Sequence, residues 1–174
     1  MEYKGKSVVL IGFLGAGKTS LGKAVAKLLQ VPFLDTDCLI EQSEGLTINE
    51  IFAQKGEAYF RSLETQTVQK LGDRDGRFVL SVGGGLPLRK INQPLLHRAG
   101  CVVYLKAGVP TLKERLAKDT TRPLLRQGEG TLEEKIARIL AQREPVYLEA
   151  ADVVVVNEGK RFQETVREIA RIVS

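Results

Sequence analysis

The chain has 174 residues, enough for one domain with a core of ordinary size and too few for a second full domain. Apolar residues make up 43% and charged residues 27%, which excludes a disordered chain, and no apolar run approaches the roughly 20 residues of a membrane span. The net charge of +5 is scattered and aromatics are only 6%, so a nucleic-acid surface has weak support and a small anionic ligand accounts for the excess. The start, MEYKGKSVVL, leads directly into a strand. We therefore expect a cytoplasmic protein without a signal peptide, monomeric, with no membrane or nucleic-acid partner. Cys38 and Cys101 have no metal-site spacing and are expected to be buried, reduced thiols.

The first predicted strand, residues 8–11, stops at Gly12 and runs into GFLGAGKTS. Gly12, four further residues, then Gly17, Lys18 and Thr19 fit the spacing of a phosphate-binding P-loop, and Gly15 keeps the turn bare. Successive backbone N–H groups wrap a polyphosphate only where no Cβ intrudes, and the helix that follows aims its positive end at the same place. Lys18 is placed to reach the β and γ oxygens and the Thr19 hydroxyl to ligate Mg²⁺. A plain strand-to-helix turn would require neither side chain. The helix TSLGKAVAKLLQ carries Leu21, Val25, Leu28 and Leu29 at helical spacing.

VPFLDTD is a second short strand ending in Asp35 and Asp37. Ligands collect at the carboxyl ends of parallel strands, so both acids should overlook the phosphate site. The competing reading is that one of them caps the helix DCLIEQSEG, and it applies to Asp37 in particular. Residues 47–71 read as two helices meeting near Gly56, the first opened by a Thr47/Glu50 capping box. The expected apolar stripes are Ile48, Ile51, Phe52 and then Tyr59, Phe60, Leu63, Thr67, Leu71. Arg61 lies within pairing distance of both Glu57 and Glu64, a spacing that fits a solvated ion pair as well as a site.

FVLSVGGGLPL is a buried strand running into Gly83, Gly84 and Gly85, without the acid that often ends this strand in P-loop enzymes. The metal role then falls to Asp35. Three consecutive glycines point to backbone approaching a ligand or another chain segment, with a plain turn as the alternative. RKINQPLLHRAG reads as a helix interrupted at Pro94, with His97 a helix-end residue. CVVYLKA is a strand and VPTLKERLAKD a helix. Residues 119–130, with Arg122, Arg126 and two glycines, suit a mobile lid bringing arginine charge over a reacting phosphate. TLEEKIARILAQREPVYLEA is an amphipathic helix with Ile136, Ile139 and Leu140 inward; ADVVVV and a final helix close the chain. Five strands alternating with helices give an α/β fold, a five-stranded parallel sheet of the P-loop type with helices on both faces. Residues 37–71 form a helical insertion placed to hold a second substrate.

Taken together, GFLGAGKTSLG, FLDTD, FRSLE, SVGGG, TRPLL and REPVY resemble the shikimate kinase family nearly end to end. The resemblance implies transfer of the γ-phosphoryl group of ATP to the 3-hydroxyl of shikimate, in aromatic amino-acid biosynthesis. It implies that Asp37, Arg61, Gly83, Gly84, Gly85 and Arg143 hold shikimate, and that Gly15, Ala16, Gly17, Lys18, Thr19 and Ser20 hold the nucleotide. Thr19 and Asp35 would carry Mg²⁺, Arg122 would close from the lid, and Arg115 and Lys160 would lie beside adenine. Lys18, Asp37 and Arg122 would be catalytic. The loop NEGKRF departs from a common family pattern in lacking a proline. Rival readings are a kinase of another polyol acid such as gluconate, which the Arg61, Gly84, Arg143 set argues against, and an idle nucleotide-binding module, which would tolerate losses among Lys18, Thr19, Asp37 and Arg122.

Overall fold

A computed structural model describes residues 2–118, 125 and 128–174. The expected lid, residues 119–130, falls mostly outside the described residues, and with it Arg122 and Arg126. Five strands form one sheet: β1 (Val8–Ile11), β2 (Phe33–Asp35), β3 (Val79–Ser81), β4 (Cys101–Lys106) and β5 (Val153–Val156), in the order β2-β3-β1-β4-β5. Every pairing is parallel; Val8 lies beside Val79 on one side and Cys101 on the other. All four residues of β1 are fully buried, so the central strand is covered on both faces, as its unbroken apolar sequence requires. At the β5 edge the pattern reverts to alternation, with Val154 and Val156 exposed and Val155 buried.

The helices are α1 (Lys18–Leu29), α2 (Thr36–Glu44), α3 (Ile48–Lys55), α4 (Glu57–Gly72), α5 (Asn92–Ala99), α6 (Val109–Leu116), α7 (Leu132–Ala150) and α8 (Phe162–Ile172), with a 3₁₀ turn at Leu86–Leu88. α1 packs against α8 and the inner strands, whereas α5 and α7 pack on β4. Between β2 and β3, helices α2 to α4 build a small core of their own from Ile40, Ile51 and Phe60. Thr47 accepts from the Glu50 N–H at 3.1 Å, so the capping box is present, and α3 and α4 meet at Gly56. No helix among the described residues is long and apolar enough to cross a membrane.

Three expectations are corrected. Pro94 does not interrupt a helix: α5 begins at Asn92, which puts the proline in the first turn, where its missing N–H had no helical partner to lose. Cys101 is buried as expected, but Cys38 is exposed, because it lies on the outer side of the first turn of α2. The buried row of α4 is Phe60, Glu64, Val68 and Leu71, so a carboxylate stands where an apolar stripe through Thr67 was expected.

Candidate active site

α1 starts directly after Gly17, whose φ of 96° is comfortable only without a side chain, as is the 78° of Gly15. A Cβ on Gly17 would also stand 2.7 Å from the Asn157 amide. The carbonyls of this loop are held from outside: Arg115 donates to the Gly15 oxygen at 3.1 Å, and the Asn157 amide donates to the Ala16 oxygen at 2.6 Å. Because C=O and N–H of one peptide point oppositely, the Gly17 N–H is turned away from Asn157. Lys18 reaches back across the loop, donating to the Gly12 oxygen at 2.6 Å.

Leu14 to Ser20 line a cleft of about 490 Å³ whose far wall is Asp35, Asp37 and Ser81 to Gly84. The loops after β1, β2 and β3 therefore meet there, as the carboxyl ends of a parallel sheet should. Of the two acids, Asp35 is the helix cap, accepting from the Cys38 N–H at 3.2 Å. The competing capping reading thus falls on Asp35 and not on Asp37: the helix opens at Thr36, two residues before the start that a cap at Asp37 would give, which leaves Asp37 within the first turn.

The glycine trio is explained by space and not by backbone freedom, since none of the three has positive φ. A Cβ on Gly83 would lie 3.3 Å from Asp37 and 3.2 Å from Glu64. One on Gly84 would lie 3.2 Å from Arg143 Nη1, and one on Gly85 would lie 2.7 Å from Arg61 Nη1. The glycines thus leave room for four ionisable side chains, Asp37 from α2 and Glu64 from α4 at Gly83, Arg143 from α7 at Gly84 and Arg61 from α4 at Gly85. Asp37, Arg61 and Arg143, far apart in the sequence, converge on one bare stretch of backbone. Arg61 and Arg143 are not part of the 490 Å³ cleft wall itself; Arg143 abuts it through Gly84, and Arg61 stands one residue further along, against Gly85.

Arg61 pairs with both predicted partners, at 3.6 Å to exposed Glu57 and 2.7 Å to Glu64, which is only 1% exposed. Burial pushes the Glu64 carboxyl up to about 7, against the pull of the Arg61 hydrogen bond and charge, and Asp37 adds to the rise. A second cavity, about 880 Å³, opens beside Gly17 and Ser20 and is lined by Arg115, Asn157, Lys160 and Phe162. Lys160 is paired there with Glu168 at 2.5 Å.

Sequence reasoning passed over Glu64 and Asn157 as site residues. Glu64 was legible as a partner of Arg61 but not as buried, while Asn157, a polar residue ending a strand at the ligand side of the sheet, carried a signal that was there to be used. His97 is a helix-end residue as expected, 3.2 Å from Asp152 and away from the cleft.

The fold and this cleft define a P-loop nucleotide-binding protein, with Asp37, Arg61 and Arg143 gathered around the glycine trio beside the phosphate loop. The family model for shikimate kinase matches residues 14–174. The shikimate kinase of Chlorobium chlorochromatii (strain CaD3) is 43% identical, over 98% of this chain and 92% of that protein. The shikimate kinase of Acinetobacter baumannii, solved in complex with shikimate, superposes with a TM-score of 0.86 at 35% identity, covering 96% of this chain and 92% of that one. A gluconokinase from Sinorhizobium meliloti 1021 shares the fold alone, with a TM-score of 0.56 at 22% identity, over 98% and 95% of the two chains. The chain belongs to the shikimate kinase family.

Proposed function

We propose that this protein transfers the γ-phosphoryl group of ATP to the 3-hydroxyl of shikimate, giving shikimate 3-phosphate and ADP. The observation that carries the reading is the glycine trio, which brings Asp37, Arg143 and Arg61 together against the P-loop cleft. The two guanidiniums present planar forks suited to one carboxylate, and Asp37 accepts from the ring hydroxyls. Gly15 to Ser20 hold the phosphates, with Lys18 placing its ammonium on the transferring group. Arg115 lies beside adenine, in the 880 Å³ cavity that Lys160 also lines. The sequence assigns Arg122 to closing over ATP, from a segment outside the described residues.

Thr19 and Asp35 line the same cleft and offer two hard oxygen donors, the share a protein usually gives to Mg²⁺ held between phosphates. Asp35 uses one oxygen as a helix cap and retains the other, so the pair fits this ion. When bound, Mg²⁺ neutralises charge on the phosphate oxygens. Asp37 orients the attacking hydroxyl, and the protein's remaining work is positioning and the exclusion of water. The gluconate alternative has only fold-level likeness in its favour.

The test is a coupled ADP-release assay offering shikimate, quinate and gluconate in turn. Shikimate should be preferred by about a hundredfold or more in kcat/KM, because a site built to pair buried polar groups rejects ligands that leave them unpaired. Equal turnover of gluconate would overturn the assignment.

A further inference from the structure

Two tyrosines stack in the core behind the glycine trio, and they differ in one respect. Tyr104 on β4 and Tyr147 on α7 are both almost fully buried, with ring centroids 5.3 Å apart. Among the described residues the Tyr104 hydroxyl has no hydrogen-bond partner, whereas the Tyr147 hydroxyl donates to the Gly84 carbonyl at 2.6 Å. Tyr147 lies one helical turn beyond Arg143, on the same side of α7, so one helix delivers both the guanidinium beside Gly84 and the hydroxyl behind it. Burial raises the Tyr147 phenol above its ordinary range while the neighbouring Arg143 pulls it down, in keeping with this arrangement.

A peptide plane is rigid, so an anchor on the Gly84 carbonyl also fixes the Gly85 N–H on its opposite edge. The three glycines have no side chains of their own to restrain that plane. We propose that Tyr147 is a positioning residue for the acceptor substrate: its hydroxyl locks the Gly84–Gly85 peptide, so that the backbone and Arg143 stay registered against each other. The acceptor part of this inference rests on the shikimate reading above; the locking part does not.

Tyr147→Phe removes the hydroxyl and keeps the ring, and Tyr104→Phe is the matched control. The amides of Leu86 and Leu88 close onto the carbonyls of Gly83 and Gly85, so their hydrogen exchange reports the trio directly in protein without substrate. Tyr147→Phe should speed both by about tenfold, the equivalent of one lost buried hydrogen bond, with β1 amides unchanged and Tyr104→Phe without effect. In steady-state kinetics it should raise KM for shikimate about tenfold and leave KM for ATP within about twofold. Unchanged exchange at Leu86 and Leu88 would overturn the locking. Parallel losses in both KM values and in thermal midpoint, in either tyrosine variant, would reduce the hydroxyl to a core contact and overturn it too. If the wild-type enzyme ignored shikimate, the proposed activity would fall, and the exchange result alone would decide the role of Tyr147.

Discussion

Burying Glu64 strips its carboxylate of hydration, and the 2.7 Å bond from Arg61 does not return all of it, so the folded protein holds the proton up to about pH 7. The unfolded chain releases that proton near the ordinary value of 4.5. The folded state therefore binds the proton more tightly, and the stability this provides is complete below about 4.5, declines as pH rises, and is gone above about 7. At about 1.4 kcal/mol for each pH unit, the interval amounts to on the order of 3 kcal/mol. Glu64→Gln cannot titrate. Subtracting its urea unfolding free energy from that of the wild type should leave a difference that falls by this amount between pH 4.5 and 7.5. A difference independent of pH would mean that Glu64 is ionised in the fold throughout. In the sequence, Asp37 stands out by its place at the end of a strand beyond the P-loop, whereas Arg61 and Arg143 are singled out by the family resemblance, the spacing of Arg61 fitting a solvated ion pair as well. Sequence alone could not show that Gly83, Gly84 and Gly85 each make room for one of those side chains, since that depends on where three separate helices arrive.

Gly100 joins α5 to β4, and its φ of 171° is extended backbone open to any residue. What bars a side chain is space: a Cβ would lie 2.5 Å from the Ser7 carbonyl oxygen, which already accepts from the Cys101 N–H at 2.8 Å. That oxygen is backbone at the entry to the central β1–β4 pairing and has no rotamer by which to yield. Gly100→Ala should lower unfolding free energy by about 1–3 kcal/mol, read as a shifted urea midpoint with an unchanged slope. An unaltered midpoint would show that the two strands can part at no expense. Elements of this kind were mostly legible beforehand. Apolar runs marked the strands, and Thr47 with Glu50 marked the start of α3, because those signals are local. Less local features are not legible in this way: Pro94 suggests an interruption but sits in the first turn of α5, and the inward row of α4 includes Glu64.

Across the whole molecule, the strand order matters more than the strand count. Five parallel strands follow from alternation with helices, but only the order β2-β3-β1-β4-β5 sets β3 between β1 and β2. That insertion carries the glycine trio to the space between the phosphate loop and the two aspartates, and no local pattern in the chain announces it. α7 then closes the ring from the far side, running through Pro145 so that Arg143 and Tyr147 both reach Gly84. In the proposed reading, the donor phosphate and the acceptor acid would sit on opposite sides of this short bare stretch of backbone. A crystal structure with ADP and shikimate bound tests this most directly. The carboxylate should lie between Arg61 and Arg143, with the 3-hydroxyl against Asp37 and facing the phosphates. Nucleotide in the P-loop with the acid bound elsewhere, and both guanidiniums turned away from it, would contradict the arrangement.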